Sequence, residues 1–152
     1  MIGKLRLLYY KSKYKNKIVV GKNFHSRLGL IFEVVDDGLV VIGDNCFMNN
    51  YCSINCLKTI RIGNDVIFGE NVKIYDHNHI FNKKGLIKEQ GFSKKEVIIG
   101  NNVWVASNVT ILAGTHIGDN CVIGCGCVLK GNIPSGSIVK KQLDYKIENI
   151  IY

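Results

Sequence analysis

An apolar residue returns at every sixth position through most of this chain, and few folds can be built on that interval. The anchors are Ile42, Met48, Ile54 and Ile60, then, after a two-residue shift, Ile62, Phe68 and Ile74; the series resumes at Ile99, Val105, Ile111, Ile117, Ile123 and Leu129. Glycine follows the anchor at Gly43, Gly63, Gly69, Gly100, Gly118 and Gly124. The position four after the anchor is small or β-branched at Cys46, Cys52, Val66, Val72, Val103, Val109, Thr115, Cys121, Cys127 and Ile133, with Lys58 and Asn78 as exceptions. A helix repeats its face every 3.6 residues, so the interval excludes one. Short strands suit it, because residues two apart on a strand share a face. The small residue and the next anchor then both point inward, and the glycine falls where the chain must turn.

Three such hexads close a triangular coil. Stacked coils bury a continuous core, and their backbones hydrogen-bond from coil to coil at a spacing of about 4.8 Å. The pattern resembles the hexapeptide-repeat family, and that resemblance implies an all-β, left-handed parallel β-helix with a protruding loop and short terminal extensions. The hand comes from the resemblance alone, since the period carries none and parallel crossovers are otherwise strongly right-handed.

The same register accounts for the cysteines. Cys46, Cys52, Cys121 and Cys127 occupy the small inward position, where a thiol packs as a small hydrophobe, and Cys56 and Cys125 fall two after an anchor. Without a secretory signal, disulfides are not expected. Cys121, Cys125 and Cys127 lack the paired short spacings of a structural zinc site, so no metal is expected either.

One domain over residues 1–152 is expected. A composition 47% hydrophobic and 21% charged can bury a core, and 16 glycines against one proline suit many tight turns. Clear coils occupy residues 40–79 and 98–134. Between them, residues 80–97 form a polar inserted loop with five lysines, and a long insertion in a compact repeat is usually functional. Over residues 18–39 the repeat is blurred, although Val20-Gly21-Lys22-Asn23 reads as a first hexad and LIFEVV as a strand before a turn at Asp36-Asp37-Gly38. The tail leaves the pattern after Pro134, and KIENIIY is expected to cover the open end as a short helix or strand.

The net charge is +8, and six of the 20 cations (Lys4, Arg6, Lys11, Lys13, Lys15, Lys17) lie in the first 17 residues with no acid among them. A solvated terminus, as a short helix or an irregular segment, fits that composition, as does a weak attraction to an anionic membrane surface or substrate. No fingerprint of a nucleic-acid-binding module accompanies the charge, so no nucleic-acid partner is expected. No apolar run approaches the roughly 20 residues of a membrane span. The start lacks the features of a signal peptide, and a cytoplasmic location is expected.

The resemblance to the hexapeptide-repeat family also implies acetyl transfer, and moving an acetyl group from a thioester to an alcohol needs a base, a donor for the tetrahedral oxyanion and a cleft for both substrates. Only histidine has an ordinary pKa near neutrality, which leaves His25, His77, His79 and His116 as candidates. The segment IYDHNH stands just before the inserted loop, where Asn78 breaks the small-inward rule. From there through VIIGNNVWVASNVTILAGTHIGDNCVIG to GNIPSGSIV, the chain looks like the galactoside/maltose acetyltransferase branch, polysaccharide O-acetyltransferases included. That resemblance covers roughly residues 40–139.

It implies acetyl-CoA as co-substrate, a sugar acceptor and a homotrimer with active sites between subunits. By position it makes His77 the general base and places His79 with the acceptor. Asn49, in CFMNNYCSI, matches an acceptor-contacting position, although a turn asparagine is an equal reading of the residue itself. Trp104 falls between the inward positions Val103 and Val105, so it points outward, and the resemblance puts it in the intersubunit cleft. Ser107 matches the residue whose backbone N–H stabilises the oxyanion, and Ala106 leaves room for the pantetheine arm. Cys125 and Cys127 stand where alanine and serine are usual, and backbone contacts from Cys125 to CoA do not depend on its side chain. The glycine–proline turn that normally follows IP-x-x-S is missing, so Lys130, Lys140 and Lys141 are the candidates for the CoA phosphates, with Lys130 taken first.

Other readings remain beside this one. An amino sugar could be the acceptor, making the chain an N-acetyltransferase, or the β-helix could be a non-catalytic scaffold subunit. A γ-type carbonic anhydrase on the same fold needs three histidines in the second block of coils, where Val105-Ala106-Ser107 stands instead. Fold alone decides none of these.

Overall fold

In the computed structural model, which describes residues 2–142, the hexads fold into five complete triangular coils and the start of a sixth. Helix α1 (Ile2–Tyr14) and a short 3-10 turn (Lys15–Lys17) lead into the first coil, β1 (Ile18–Val20), β2 (His25–Ser26) and β3 (Ile31–Val34). The second coil is β4 (Leu39–Ile42), β5 (Phe47–Met48) and β6 (Ser53–Cys56), and the third is β7 (Thr59–Ile62), β8 (Ile67–Phe68) and β9 (Lys73–Tyr75). An arm follows, made of β10 (His77–His79) and β11 (Phe92–Lys94). The fourth coil is β12 (Val97–Ile99), β13 (Trp104–Val105) and β14 (Thr110–Ile111); the fifth is β15 (His116–Ile117), β16 (Val122–Ile123) and β17 (Val128–Leu129). β18 (Asn132–Ile133) and β19 (Ile138–Val139) begin the sixth.

Each coil contributes one strand to each of three parallel sheets, which run β1-β4-β7-β12-β15-β18, β2-β5-β8-β13-β16-β19 and β3-β6-β9-β14-β17. Ile98 stands beside His116, so the fourth coil closes in 18 residues, or three hexads. Val40 stands beside Ile60, so the second takes 20. The two extra residues are the shift seen in the sequence: β6 and β7 are four residues long, and Ile54, Cys56, Ile60 and Ile62 all point inward. The anchors fill the axis of the prism, with Ile42, Met48, Ile54, Ile60, Phe68, Ile74, Ile99, Ile111, Ile117 and Ile123 almost wholly buried. Each such side chain contributes roughly 1.5–3 kcal/mol when removed from water. Cys46, Cys52, Cys56, Cys121 and Cys127 are buried beside them, and Cys125 is exposed.

Three sequence boundaries move. The blurred stretch 18–39 is a full coil, paired residue by residue with the next, as in Ile31 with Ser53. The tail stays in the pattern beyond Pro134, because β19 pairs with β16. The inserted segment begins at the end of β9, before residue 80, and is ordered: His77 pairs with Lys94 and His79 with Phe92 in an antiparallel hairpin. The expectation for KIENIIY falls outside the described residues. The basic lead is the helix α1, whose Tyr10 packs edge-on against Phe32 with ring centres 5.3 Å apart.

The corners hold the prism together. The first corner of successive coils is Gly-x-Asn or Gly-x-Asp, and its third residue is left-handed at Asn23, Asn45, Asp65, Asn102 and Asn120. Asparagine and aspartate tolerate that conformation better than other side chains. A Cβ on Gly43 would lie 2.7 Å from the backbone of Gly63 in the next coil, so this glycine is required by close approach.

Candidate active site

The predicted site residues fall on two different edges of the prism. The second corner, between the sheets of β5 and β6, carries Asn49, then Gly69-Glu70 one coil on, then Ala106-Ser107, then Gly124-Cys125. Glu70 donates its N–H to Ser107 Oγ at 3.1 Å and accepts from Asn50 Nδ2 at 3.1 Å, so this edge is laced from coil to coil. Trp104 stands two residues before Ala106 in β13 and is 53% exposed, as its outward register requires. It borders a shallow cleft of about 170 Å³ with Ile67, Asn102, Asn120 and Val122. Tyr51, two residues after Asn49, is left-handed at φ 61° and 65% exposed.

The third corner carries His77, His79 and, two coils on, Lys130. Its centre is Asp76, which is fully buried. Asp76 Oδ1 accepts the Leu57 N–H at 2.8 Å, and Oδ2 accepts the Lys58 N–H at 2.7 Å and the Cys56 thiol at 3.2 Å. Burial, reinforced by the Asp76 charge, pushes the Cys56 thiol up to about 12, so it stays protonated and donates. Leu57 and Lys58 form the corresponding corner of the coil below, where Lys58 breaks the small-inward rule. The side chain of one irregular corner thus satisfies the backbone of another.

His77 Nδ1 lies 3.1 Å from Asp76 Oδ1. A carboxylate only accepts, so Nδ1 is the donor, and in the neutral imidazole this puts the lone pair on Nε2. The imidazole is 16% exposed. In the hairpin register His77, His79, Phe92 and Lys94 share one face. The Phe92 ring meets His77 edge-on at 5.3 Å and His79 at 4.5 Å. Lys94 reaches Asp36 Oδ2 at 2.6 Å, tying the arm to the third corner of the first coil and holding the Asp36 carboxyl below its ordinary value. The sequence singles out both histidines but not the groups that contact them, Asp76 and Phe92. Asp76 and Glu70 both stood near in sequence, and only the fold separates the buried carboxylate on this edge from the one on the other.

Within one chain, then, His77 and His79 come together, as do Asn49, Ala106, Ser107 and Cys125, while a whole face of the prism separates the two groups. Among the described residues no cluster of metal-binding side chains is present.

Fold and site define a parallel β-helix of hexapeptide repeats with a histidine-bearing arm. Residues 96–131 match the family model described as bacterial transferase hexapeptide (six repeats). Among solved structures, the chain is similar to a maltose O-acetyltransferase from Clostridium difficile 630, with 29% identity over 77% of this chain and 64% of that one and a TM-score of 0.64. It thus spans less than two thirds of that relative. A galactoside acetyltransferase in complex with coenzyme A is 26% identical over 94% of this chain and 79% of its own, with a TM-score of 0.73. A hexapeptide-repeat acetyltransferase from Vibrio cholerae O1 biovar eltor, complexed with acetyl coenzyme A, shares the fold at 20% identity over 88% and 71%, TM-score 0.71. Among curated proteins no sequence matches.

Proposed function

We propose that this chain is an acetyl-CoA-dependent O-acetyltransferase that esterifies a sugar hydroxyl of a cell-surface polysaccharide or its precursor. The observation that carries the reading is the buried Asp76 holding His77 by Nδ1, which leaves Nε2 as an oriented base beside a protruding arm. The sugar acetyltransferases among the structural relatives supply the reaction class. Acetyl-CoA, the donor, is a cytoplasmic metabolite, and the site of action is placed there.

The base and the oxyanion donor lie on different edges, so the site is complete only if the third corner of one subunit faces the second corner of another. A homotrimer of parallel prisms provides that pairing. His77 Nε2 takes the proton as the sugar oxygen attacks the thioester carbonyl. The oxyanion falls to the Ser107 N–H of the facing subunit, and as the C–S bond breaks the imidazolium protonates the CoA sulfur. Trp104 lines the cleft, while Ala106 and the Cys125 backbone leave room for pantetheine. Lys130 serves the CoA phosphates, and Asn49 and His79 hold the acceptor. An amino sugar would use the same base with nitrogen as the nucleophile, giving an N-acetyltransferase, whereas a scaffold subunit would produce no product at all.

One observation favours a second assignment of the base. His79 is exposed on the same face of β10, so it reaches further toward a facing subunit than His77 does.

The test is mass spectrometry of products from acetyl-CoA and a panel of glycans and their precursors. It is combined with mixed assembly of His77→Ala and Trp104→Ala chains. Acetyl ester formation, and activity regained in mixtures of two inactive chains, are expected. No product with any glycan defeats the transferase reading, and product without regained activity defeats the shared site.

A further inference from the structure

Helix α1 has two apolar faces, and the prism uses only one. Leu7, Tyr10 and Tyr14, spaced i, i+3, i+7, turn inward; Tyr10 is buried, and Tyr14 Oη donates to the Phe32 carbonyl at 3.2 Å. The helix touches β1 and β2 as well as Phe32 of β3. A helix in contact with all three sheets lies across the open end of the coil and closes it. Its other face, Leu5, Leu8 and Tyr9 at i, i+3, i+4, is left largely to solvent, with these side chains 64%, 62% and 59% exposed and Leu8 at the border of a groove shared with Phe24 and His25. At 100° per residue, Arg6 and Lys13 flank this stripe on one side and Lys11 on the other. Lys15 and Lys22 follow in the sequence, while the Lys17 ammonium donates to the Asp36 carbonyl and the Arg27 guanidinium lies over the Phe47 ring of the second coil; the first acidic residue in the chain is Glu33. The acids of the first coil stand at β3 and the third corner, where Asp36 is already paired with Lys94.

We infer that this face is a docking surface for an anionic lipid bilayer, with Leu5, Leu8 and Tyr9 entering the interface and the flanking cations meeting acidic headgroups. An apolar stripe bordered by lysine and arginine is the arrangement that rests in the plane of a membrane interface. Among the described residues no helix is long and apolar enough to cross a membrane, which leaves surface attachment. A second copy is a poorer occupant. Pairing through this stripe would set Arg6, Lys11 and Lys13 against their own twins, and three side chains fall short of the roughly 20–30 residues a side that stable interfaces use. In a trimer of parallel prisms all three helices lie on one end, facing one plane, so weak single contacts would add by avidity. The inference does not rest on acetyl transfer and concerns the end of the prism against α1, not the corners that carry His77 and Ser107.

The experiment is flotation of the full chain with vesicles of phosphatidylcholine alone and of phosphatidylcholine with phosphatidylglycerol, beside sedimentation without lipid. Binding only to the anionic vesicles is expected, about fivefold weaker for each of Arg6→Gln and Lys13→Gln. Leu8→Glu should reduce it roughly tenfold or more, with melting temperature and acetyl-CoA affinity unchanged. Leu5→Ser repeats that test should Leu8→Glu disturb the fold. Equal binding to both vesicles, or none, overturns the proposal. So does anionic binding that both Leu8→Glu and Leu5→Ser leave intact, which would mean diffuse electrostatic attraction. Pairing of assemblies without lipid, abolished by Leu8→Glu, overturns it in favour of a second copy.

Discussion

The first and third corners of the prism come from the same hexad, and only the first repeats. At the first corner Asn23 Nδ2 donates to Asn45 Oδ1 at 3.0 Å, Asn45 to Asp65 at 3.0 Å, and Asn102 to Asn120 at 2.8 Å. Beside that ladder the Asp44, Asn64 and Asn101 N–H groups are taken by Asn64, Asn101 and Asp119 side chains. Little polar capacity is left over for a substrate. The third corner is different in every coil: Asp36-Asp37-Gly38, then Leu57-Lys58, then the arm, then Leu112-Ala113-Gly114, then Lys130-Gly131. Without a ladder, its backbone donors are met by a buried carboxylate, and that carboxylate has capacity remaining for an imidazole. Regular corners consume their polar groups on each other; the irregular one can direct them at chemistry.

The comparison breaks most sharply at His77. His77→Ala is expected to remove about 10²–10⁴ in turnover, or roughly 3–5 kcal/mol of barrier, while acetyl-CoA affinity and melting temperature hardly move. His79→Ala should act mainly on acceptor binding. Measuring turnover, donor affinity and melting of both variants decides the matter. If His79→Ala is inactive and His77→Ala is not, the exposed histidine is the base and Asp76 is structural. If neither variant loses activity, general-base catalysis from this corner is wrong.

Asp76→Ala separates the corner's structural and chemical parts. It strands the buried Leu57 N–H and removes the partner of the part-buried Lys58 N–H, and an unsatisfied buried donor costs about 1–3 kcal/mol. A loss of roughly 3 kcal/mol in unfolding free energy is expected, with turnover lowered as well because the imidazole loses its orientation. Denaturant unfolding checks the first part and single-turnover kinetics the second. Unchanged stability would mean that the corner does not depend on its carboxylate.

How far these features could be read in the sequence follows from the same contrast. The anchors, the outward Trp104 and the inward cysteines were legible because a fixed period puts each on a known face. The first coil was blurred because it runs 22 residues to its partner, from Ile18 to Val40, and its longer third corner hides the hexad. The helix α1 was left open because its apolar residues lie on two faces and sum to no clear stripe. His77 was visible through its place before the insertion. Its partner was not, because Asp76 is fixed by Leu57 and Lys58, about a full coil earlier, and Phe92 reaches the histidines only through the hairpin. The separation of Ser107 from His77 was also hidden, because corner identity depends on counting coils whose lengths differ.

A smaller effect is expected where the repeat is obeyed. Asn45→Ala removes one rung at each side and places alanine in a left-handed conformation that costs about 1–2 kcal/mol. Adding the lost hydrogen bonds, stability should fall by roughly 2 kcal/mol, and turnover should stay within about twofold of the parent, far less than a positioned base contributes. Thermal melts and kinetics on one sample test both. A large loss of turnover with little loss of stability would place chemistry on the ladder edge and dissolve the contrast.

The smallest expected effect concerns the thiols, four of which (Cys46, Cys52, Cys121 and Cys127) hold the small inward position of the repeat. All six are free, and five are buried. Cys46 Sγ donates to the Gly63 carbonyl at 3.1 Å, Cys52 to Gly69 at 3.2 Å and Cys121 to Pro134 at 3.1 Å, so their protons are used within the fold. A reducing agent should leave the melting temperature unchanged, and alkylation of the folded protein at neutral pH should label Cys125 alone. Burial raises the Cys46 and Cys52 thiols, as it does Cys56 to about 12. The stability they contribute is fully present below their unfolded value, near 8.5–9, and is lost as pH rises through the folded value. Unfolding free energy should therefore decline from about pH 9 toward 12, and for Cys56→Ala that alkaline slope should be shallower. Lysines and tyrosines also titrate in this range, so the difference between parent and variant is the quantity to read. A second thiol labelled in the folded state, or a slope unchanged by Cys56→Ala, would show that these side chains are less enclosed than the regular coils make them.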